Sequence, residues 1–210
     1  RKFIPTAEST ANVNSPIFPL DSIWAEHGAW DVSNYCYRSY DNAIRTMFGD
    51  PKTAKEYADN AQFLSADGYR AMFEAANHRM WDITSGVMIW KINSCWPDVC
   101  WQIYDWYLAP NASYYFARKA MEPVHVQLNA NDFKISVINA SHRVLDDVKV
   151  TAKVINNDMR VAWQHSQQLT VSPDCYKEII TVPQHGKYSY NYFVKLELHD
   201  KAGKLLSENL

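Results

Sequence analysis

Gly86-Val87-Met88-Ile89-Trp90-Lys91-Ile92-Asn93-Ser94-Cys95-Trp96-Pro97-Asp98 is the stretch on which the reading of this chain turns. A short apolar run ends on a tryptophan, and the chain then breaks into a loop of polar and aromatic residues. The run is expected as a strand over 86–91, bounded by turn residues. A rigid strand that delivers a flat apolar ring beside hydrogen-bonding groups is a common way to build a saccharide site.

The segments on either side supply the context. From Ser33 to Phe48, the residues Tyr37, Tyr40, Ile44 and Met47/Phe48 recur at helical spacing, and Gly49-Asp50-Pro51 stops the pattern. A second helix is expected from Thr53 to Trp81, with Tyr57, Ala61, Leu64, Tyr69, Met72/Phe73, Ala76 and Met80 on its buried face. Thr53 followed by Glu56 has capping-box spacing. Behind Pro110, residues 111–121 form a third, short helix. Helix, strand, loop, helix is the rhythm of an α/β layer. Residues 1–33 are irregular, punctuated by Pro5, Pro16 and Pro19 and crowded with Trp24, His27, Gly28 and Trp30.

At Glu122-Pro123 the period changes to two: Val124, Val126, Leu128; then Phe133, Ile135, Val137; then Val148, Val150, Ala152, Val154. Further strands are expected at 160–171, 175–182 and 190–199. Turn clusters lie at Asn129–Asp132, Asn156–Asp158 and Asp200–Gly203. Short alternating strands at this spacing predict an antiparallel β-sandwich of immunoglobulin type. Residues 204–208 resemble the approach to a seventh strand, so the sandwich is expected to lack its last one. The chain thus divides into an α/β module over 1–121 and an all-β module over 122–210. One strand with helices around it cannot close a sheet.

Composition narrows the function classes. A net charge of −2 gives no basic surface for nucleic acid. No apolar stretch approaches the roughly 18 residues of a membrane helix. Aromatic content is 14%, with eight Trp and thirteen Tyr, which suits a packed interior or a carbohydrate cleft. Cys36, Cys95, Cys100 and Cys175 show no metal-ligand spacing with His142, His165, His185 or His199, and no Gly-rich phosphate loop occurs. No metal or other cofactor is therefore expected. Sequons at Asn111 and Asn139 carry little weight by themselves.

Ser85–Lys91, Trp96-Pro97, Gln102–Asp105, Tyr114–Ala120 and Glu122–Leu128 together closely resemble glycoside hydrolase family 2, in the branch of exo-β-glucosaminidases and plant-type endo-β-mannosidases. The resemblance covers most of 20–130 and is specific over 84–128. It implies the C-terminal portion of a (β/α)8 barrel followed by an immunoglobulin-like sandwich. It also implies retaining hydrolysis of β-linked glucosamine or mannose-type sugars by two carboxyl groups about 5–5.5 Å apart. In the family these are glutamates of the fourth and seventh barrel strands. Neither motif occurs in this chain, and the second is expected shortly before Arg1. Many such enzymes are secreted or periplasmic.

Trp90 resembles the family tryptophan at the end of the eighth strand, the floor of the subsite holding the cleaved sugar. A cis Trp90–Lys91 peptide is expected there. Asn93, Trp96 and Asp98 follow in the loop, and Trp24 and His27 resemble the loop after the seventh strand; all are candidate substrate contacts, against the plainer reading of each as a packed or braced structural residue. The expected partners are an oligosaccharide and the remainder of the same polypeptide. A part-barrel left uncovered is expected to associate through its exposed face. A non-catalytic carbohydrate-binding or structural module is the rival reading.

Overall fold

The computed structural model describes residues 35–98, 102–184 and 187–210. They form two compact units. One draws on the described residues up to Arg70 and on Met88–Arg118; the other draws on Ala71–Val87 and Lys119–Leu210. This division differs from a single break at 121–122, because the last turns of the second helix group with the strands.

In the first unit, α1 spans Tyr35–Phe48, α2 begins at Ala54 and runs to His78, and α3 spans Ala112–Ala120. Ile44 is fully buried on α1, whereas Met47 and Phe48 of the expected apolar face are exposed. Gly49 ends α1 at a φ of 81°, and its N–H returns to Arg45 O at 3.0 Å. That is the left-handed cap conformation in which a Cβ is penalised. At the start of α2, Thr53 Oγ1 accepts from Glu56 N–H at 3.1 Å, and Glu56 Oε2 accepts from Lys52 N–H at 2.8 Å. The reciprocal cap satisfies amides that the first turn leaves open.

Helix α2 stops three residues earlier than its apolar spacing predicts. Thr84 Oγ1 donates to Ala76 O at 2.8 Å, and Arg79 O accepts from the amides of Asp82, Ile83 and Thr84. The turn thus satisfies carbonyls that a longer helix would have used. The segment over 86–91 forms no strand among the described residues, and the chain bends at Trp90. The first unit accordingly shows no parallel sheet among its described residues. An apolar run predicts burial and extension; a strand also needs a neighbour to receive its backbone groups.

The second unit is an immunoglobulin-like sandwich of seven strands. One sheet has the order β1-β2-β5, from Val124–Leu128, Lys134–Asn139 and Cys175–Thr181. The other has the order β4-β3-β6-β7, from Val161–Val171, Leu145–Asn156, Tyr192–His199 and Leu205–Asn209. All pairings are antiparallel. Val148, Val150, Ala152 and Val154 alternate into the core, where they pack with Val126, Val137, Leu196 and Leu198. The seventh strand is formed, with Leu196 opposite Asn209, and corrects the expectation that only its approach is present. The turns fall where Asp and Asn predicted them: Asp200 Oδ1 accepts from Ala202 and Lys204 N–H at 2.9 Å each.

The Asn139 sequon is consumed by the fold, and the Asn111 side chain caps α3. Asn139 is fully buried; its amide donates to Arg143 O and Ser172 O at 2.8 Å, and its oxygen accepts from Ser141 Oγ at 2.7 Å. Asn111 Oδ1 accepts from Tyr114 N–H at 3.3 Å at the start of α3, while Nδ2 donates to Gln102 O. Expression in a glycosylating host is therefore expected to leave the Asn139 peptide at unmodified mass in a glycopeptide digest. A glycan on Asn139 in folded protein would contradict its burial. No helix among the described residues is long and apolar enough to cross a membrane.

Candidate functional site

The segment from Trp90 to Asp98 is held by a polar network within the first unit. Lys91 Nζ pairs with Asp98 Oδ2 at 2.8 Å, with the carboxylate largely buried. Ser94 is buried, and its hydroxyl lies 3.3 Å from Asp98 Oδ2 and 3.1 Å from Gln102 Oε1. Gln102 Nε2 donates to Asp98 O, closing the loop on itself. Ile92 O accepts from both Ile103 and Tyr104 N–H, at 3.1 and 2.9 Å. Anchors on both sides therefore fix the path of residues 90–98.

Trp90 stands out of this network rather than in it. It is 77% exposed, and Met88 beside it is 98% exposed. The Trp90–Lys91 peptide is cis, as expected from the sequence. Trp96 is exposed as well. Asn93 is exposed and makes a 3.4 Å contact from Nδ2 to Ser94 O. Asp98 is committed to Lys91 and Ser94, so it acts as the brace of the loop. Trp24 and His27 lie outside the described residues. Asp105 braces the turn before α3, its Oδ1 accepting from Tyr107 and Ala109 N–H at 2.9 Å each.

Every carboxylate among the described residues of the first unit has a structural partner. Asp41 and Asp50 pair with Arg45, Asp59 with Lys55, and Asp67 with Arg70. Glu56 caps α2, Asp98 holds Lys91, and Asp105 holds backbone amides. Arg45 is correspondingly raised above its ordinary pKa, first by its bond to Asp41 and then by that to Asp50.

A second polar cluster, which the sequence reading did not single out, lies in the second unit. Alternation along β1 and β2 sends Val126 and Val137 to the core and His125, Gln127 and Ser136 to the other face, which the end of α2 covers. His125 is fully buried; Nε2 lies 3.1 Å from Glu74 Oε1, and Asn209 Nδ2 donates to the same oxygen at 2.7 Å. Gln127 Nε2 donates to Glu74 O at 2.6 Å. One turn on, His78 sits with Nδ1 3.3 Å from Ser136 Oγ and Nε2 3.8 Å from both Asp132 Oδ2 and Glu178 Oε1. Burial pushes the Asp132 carboxyl up. The Lys134 N–H and Asn129 amide bonds, with the charges of His78 and Lys134, outweigh it and hold the group below its ordinary value. Apart from the local bonds of Asp132, these partners lie 51 to 135 positions apart in the chain.

The sandwich, with one sheet covered by the end of α2, defines an immunoglobulin-like module; the other unit carries an exposed tryptophan. Comparison with known proteins makes that class specific. Residues 131–210 match the model of the mannosidase Ig/CBM-like domain. The exo-beta-D-glucosaminidase of Streptomyces avermitilis is 29% identical over 219 residues, covering 99% of this chain and 24% of that protein. The mannosylglycoprotein endo-beta-mannosidase of Lilium longiflorum is 31% identical over 187 residues, covering 86% of this chain and 20% of that protein. The crystal structure of Amycolatopsis orientalis exo-chitosanase CsxA superposes at a TM-score of 0.78 with 28% identity, covering 82% of this chain and 21% of that one. A beta-D-mannosidase from Dictyoglomus thermophilum shares the fold at a TM-score of 0.77 and 18% identity.

Residues 131–210 thus resemble mannosidase Ig/CBM-like domains, and the homologues of the chain include exo-β-glucosaminidases and β-mannosidases of glycoside hydrolase family 2. The chain spans about a quarter of the length of the curated relatives it matches, 24% of the first.

Proposed function

We propose that this chain is part of a retaining β-glycosidase that hydrolyses terminal β-linked glucosamine or mannose-type sugars. In this reading the residues before the sandwich are the closing portion of a (β/α)8 barrel, and 86–91 is its last strand. Trp90 forms the floor of the sugar subsite; Asn93 and Trp96 wall it, Asp98 holds the loop, and Trp24 and His27 approach from the preceding loop. The acid and the nucleophile come from the rest of the polypeptide.

The observation that carries this reading is the exposed Trp90 at the end of an apolar segment that pairs with no strand among the described residues and whose following loop is anchored on both sides. Such a segment has backbone groups and apolar side chains ready for a neighbour. An indole face suits the C–H face of a pyranose. The structural commitments of the carboxylates in the first unit are in keeping with a site whose reacting oxygens lie elsewhere.

The direct test compares the purified 210-residue chain with the whole polypeptide on aryl β-glucosaminides and β-mannosides. The chain alone is expected to show no turnover above background. Turnover near that of the whole enzyme would end this reading. Calorimetric titration with glucosamine oligomers separates the rival class, because a carbohydrate-binding module would show saturable affinity alone.

A further inference from the structure

We propose that His78, Asp132 and Glu178 form a site for one divalent transition-metal ion of the zinc type, pinning the end of α2 to the β1-β2-β5 sheet. The three donors come from the last residue of α2, the turn between β1 and β2, and the middle of β5. His78 Nε2 faces Asp132 Oδ2 and Glu178 Oε1 at 3.8 Å each, and all three ligand atoms lie within 4.8 Å of one another. Two metal–ligand bonds of about 2.0–2.2 Å span up to about 4.2 Å. An ion therefore reaches His78 and either carboxylate as they stand. The two carboxylates need only a small closure, which Glu178, at 41% side-chain exposure, makes once Lys134 releases its two oxygens.

The donors are oriented from behind, as metal ligands are. Ser136 Oγ engages the Nδ1 side of His78 and leaves Nε2 pointing at the oxygens. Asp132 Oδ1 accepts from Asn129 Nδ2 at 2.7 Å and Lys134 N–H at 3.0 Å, which leaves Oδ2 turned inward. The His78 side chain is 8% exposed, yet its Nε2 has no hydrogen bond among the described residues, since 3.8 Å is beyond hydrogen-bond reach. A side chain more than nine-tenths buried, held from behind at Nδ1 and turning Nε2 between two carboxylates, is the arrangement that receives a cation. Imidazole with two carboxylates suits zinc rather than magnesium or calcium.

Lys134 supplies the competing cation. Its ammonium lies 2.9 Å from Glu178 Oε2 and 3.8 Å from Asp132 Oδ2. Metal entry displaces it to solvent. Lys134 therefore sets the affinity of the site, and its removal is the sharpest test.

The 210-residue chain, stripped with a chelator, is titrated with zinc chloride by calorimetry, and its melting temperature is followed with and without zinc. One equivalent is expected to bind and to raise the melting temperature, while magnesium at the same concentration does neither. Glu178→Gln is expected to weaken binding by more than about tenfold and Lys134→Gln to tighten it about tenfold, from the loss of a ligand and of a nearby like charge. Both positions are partly exposed, so these variants keep the test interpretable if His78→Gln fails to fold. Absence of saturable zinc binding, or binding that neither variant changes, overturns the proposal.

Discussion

Replacing His125 with alanine is expected to lower the stability of the second unit by about 3 kcal/mol or more, the largest effect expected of any polar substitution in the sandwich. The imidazole is fully buried, and its Nε2 lies 3.1 Å from Glu74 Oε1. A carboxylate only accepts, so that nitrogen carries the donated proton. Glu74 has a side chain 12% exposed, and after truncation it keeps Asn209 alone as a side-chain donor. A hydrogen bond to a charged group contributes about 1.5–3 kcal/mol, and the vacated volume adds a cavity penalty. His125→Gln restores a donor of similar reach and is expected to recover part of the loss. Urea unfolding, with the slope unchanged and the midpoint moved, reads the effect. A change below about 0.5 kcal/mol would mean that the Glu74 carboxylate finds water once the ring is gone.

Trp90→Ala in the whole enzyme is expected to reduce kcat/KM by about a hundredfold, or about 2.7 kcal/mol of transition-state stabilisation. The indole is 77% exposed in this chain, so truncation removes little of the packing described and acts on what the ring would contact. Trp90→Phe keeps an apolar face and is expected to retain most of the activity. Trp96→Ala, farther along the same loop, is expected to cost less. Initial rates on aryl β-glucosaminides and β-mannosides, with circular dichroism to verify folding, measure all three. If Trp90→Ala stays within about threefold of the parent, a difference worth under 1 kcal/mol, the ring is not the floor of the sugar site.

Much of the architecture was legible because it repeats at a short period. Val148, Val150, Ala152 and Val154 alternate into the core as their spacing predicts. Thr53 with Glu56 and Gly49 mark helix ends through bonds made within five residues. The resemblance in 84–128 located Trp90 and its loop. Its cis peptide was expected on that ground, and no local propensity would have suggested it.

Other features depended on partners remote in the chain. The apolar run over 86–91 reads as a strand, yet the ladder that would make it one has no partner among the described residues. Leu205–Asn209 is short and mixed in polarity, and it becomes a strand because β6 receives its backbone. His125, Gln127 and Ser136 alternate with core residues and so resemble a solvent-facing row. They are buried because α2 lies over them and brings Glu74 and His78 to meet them.

By itself, then, the amino-acid order determined where helices begin, which face of each strand meets the core, and to which enzymes the chain is related. These follow from local periodicity, capping chemistry and motif, each contained in a few consecutive residues. Only the tertiary structure decided which polar residues are buried together, because a His, an Asp and a Glu separated by 46 residues or more have no common pattern until the backbone folds them within 4.8 Å.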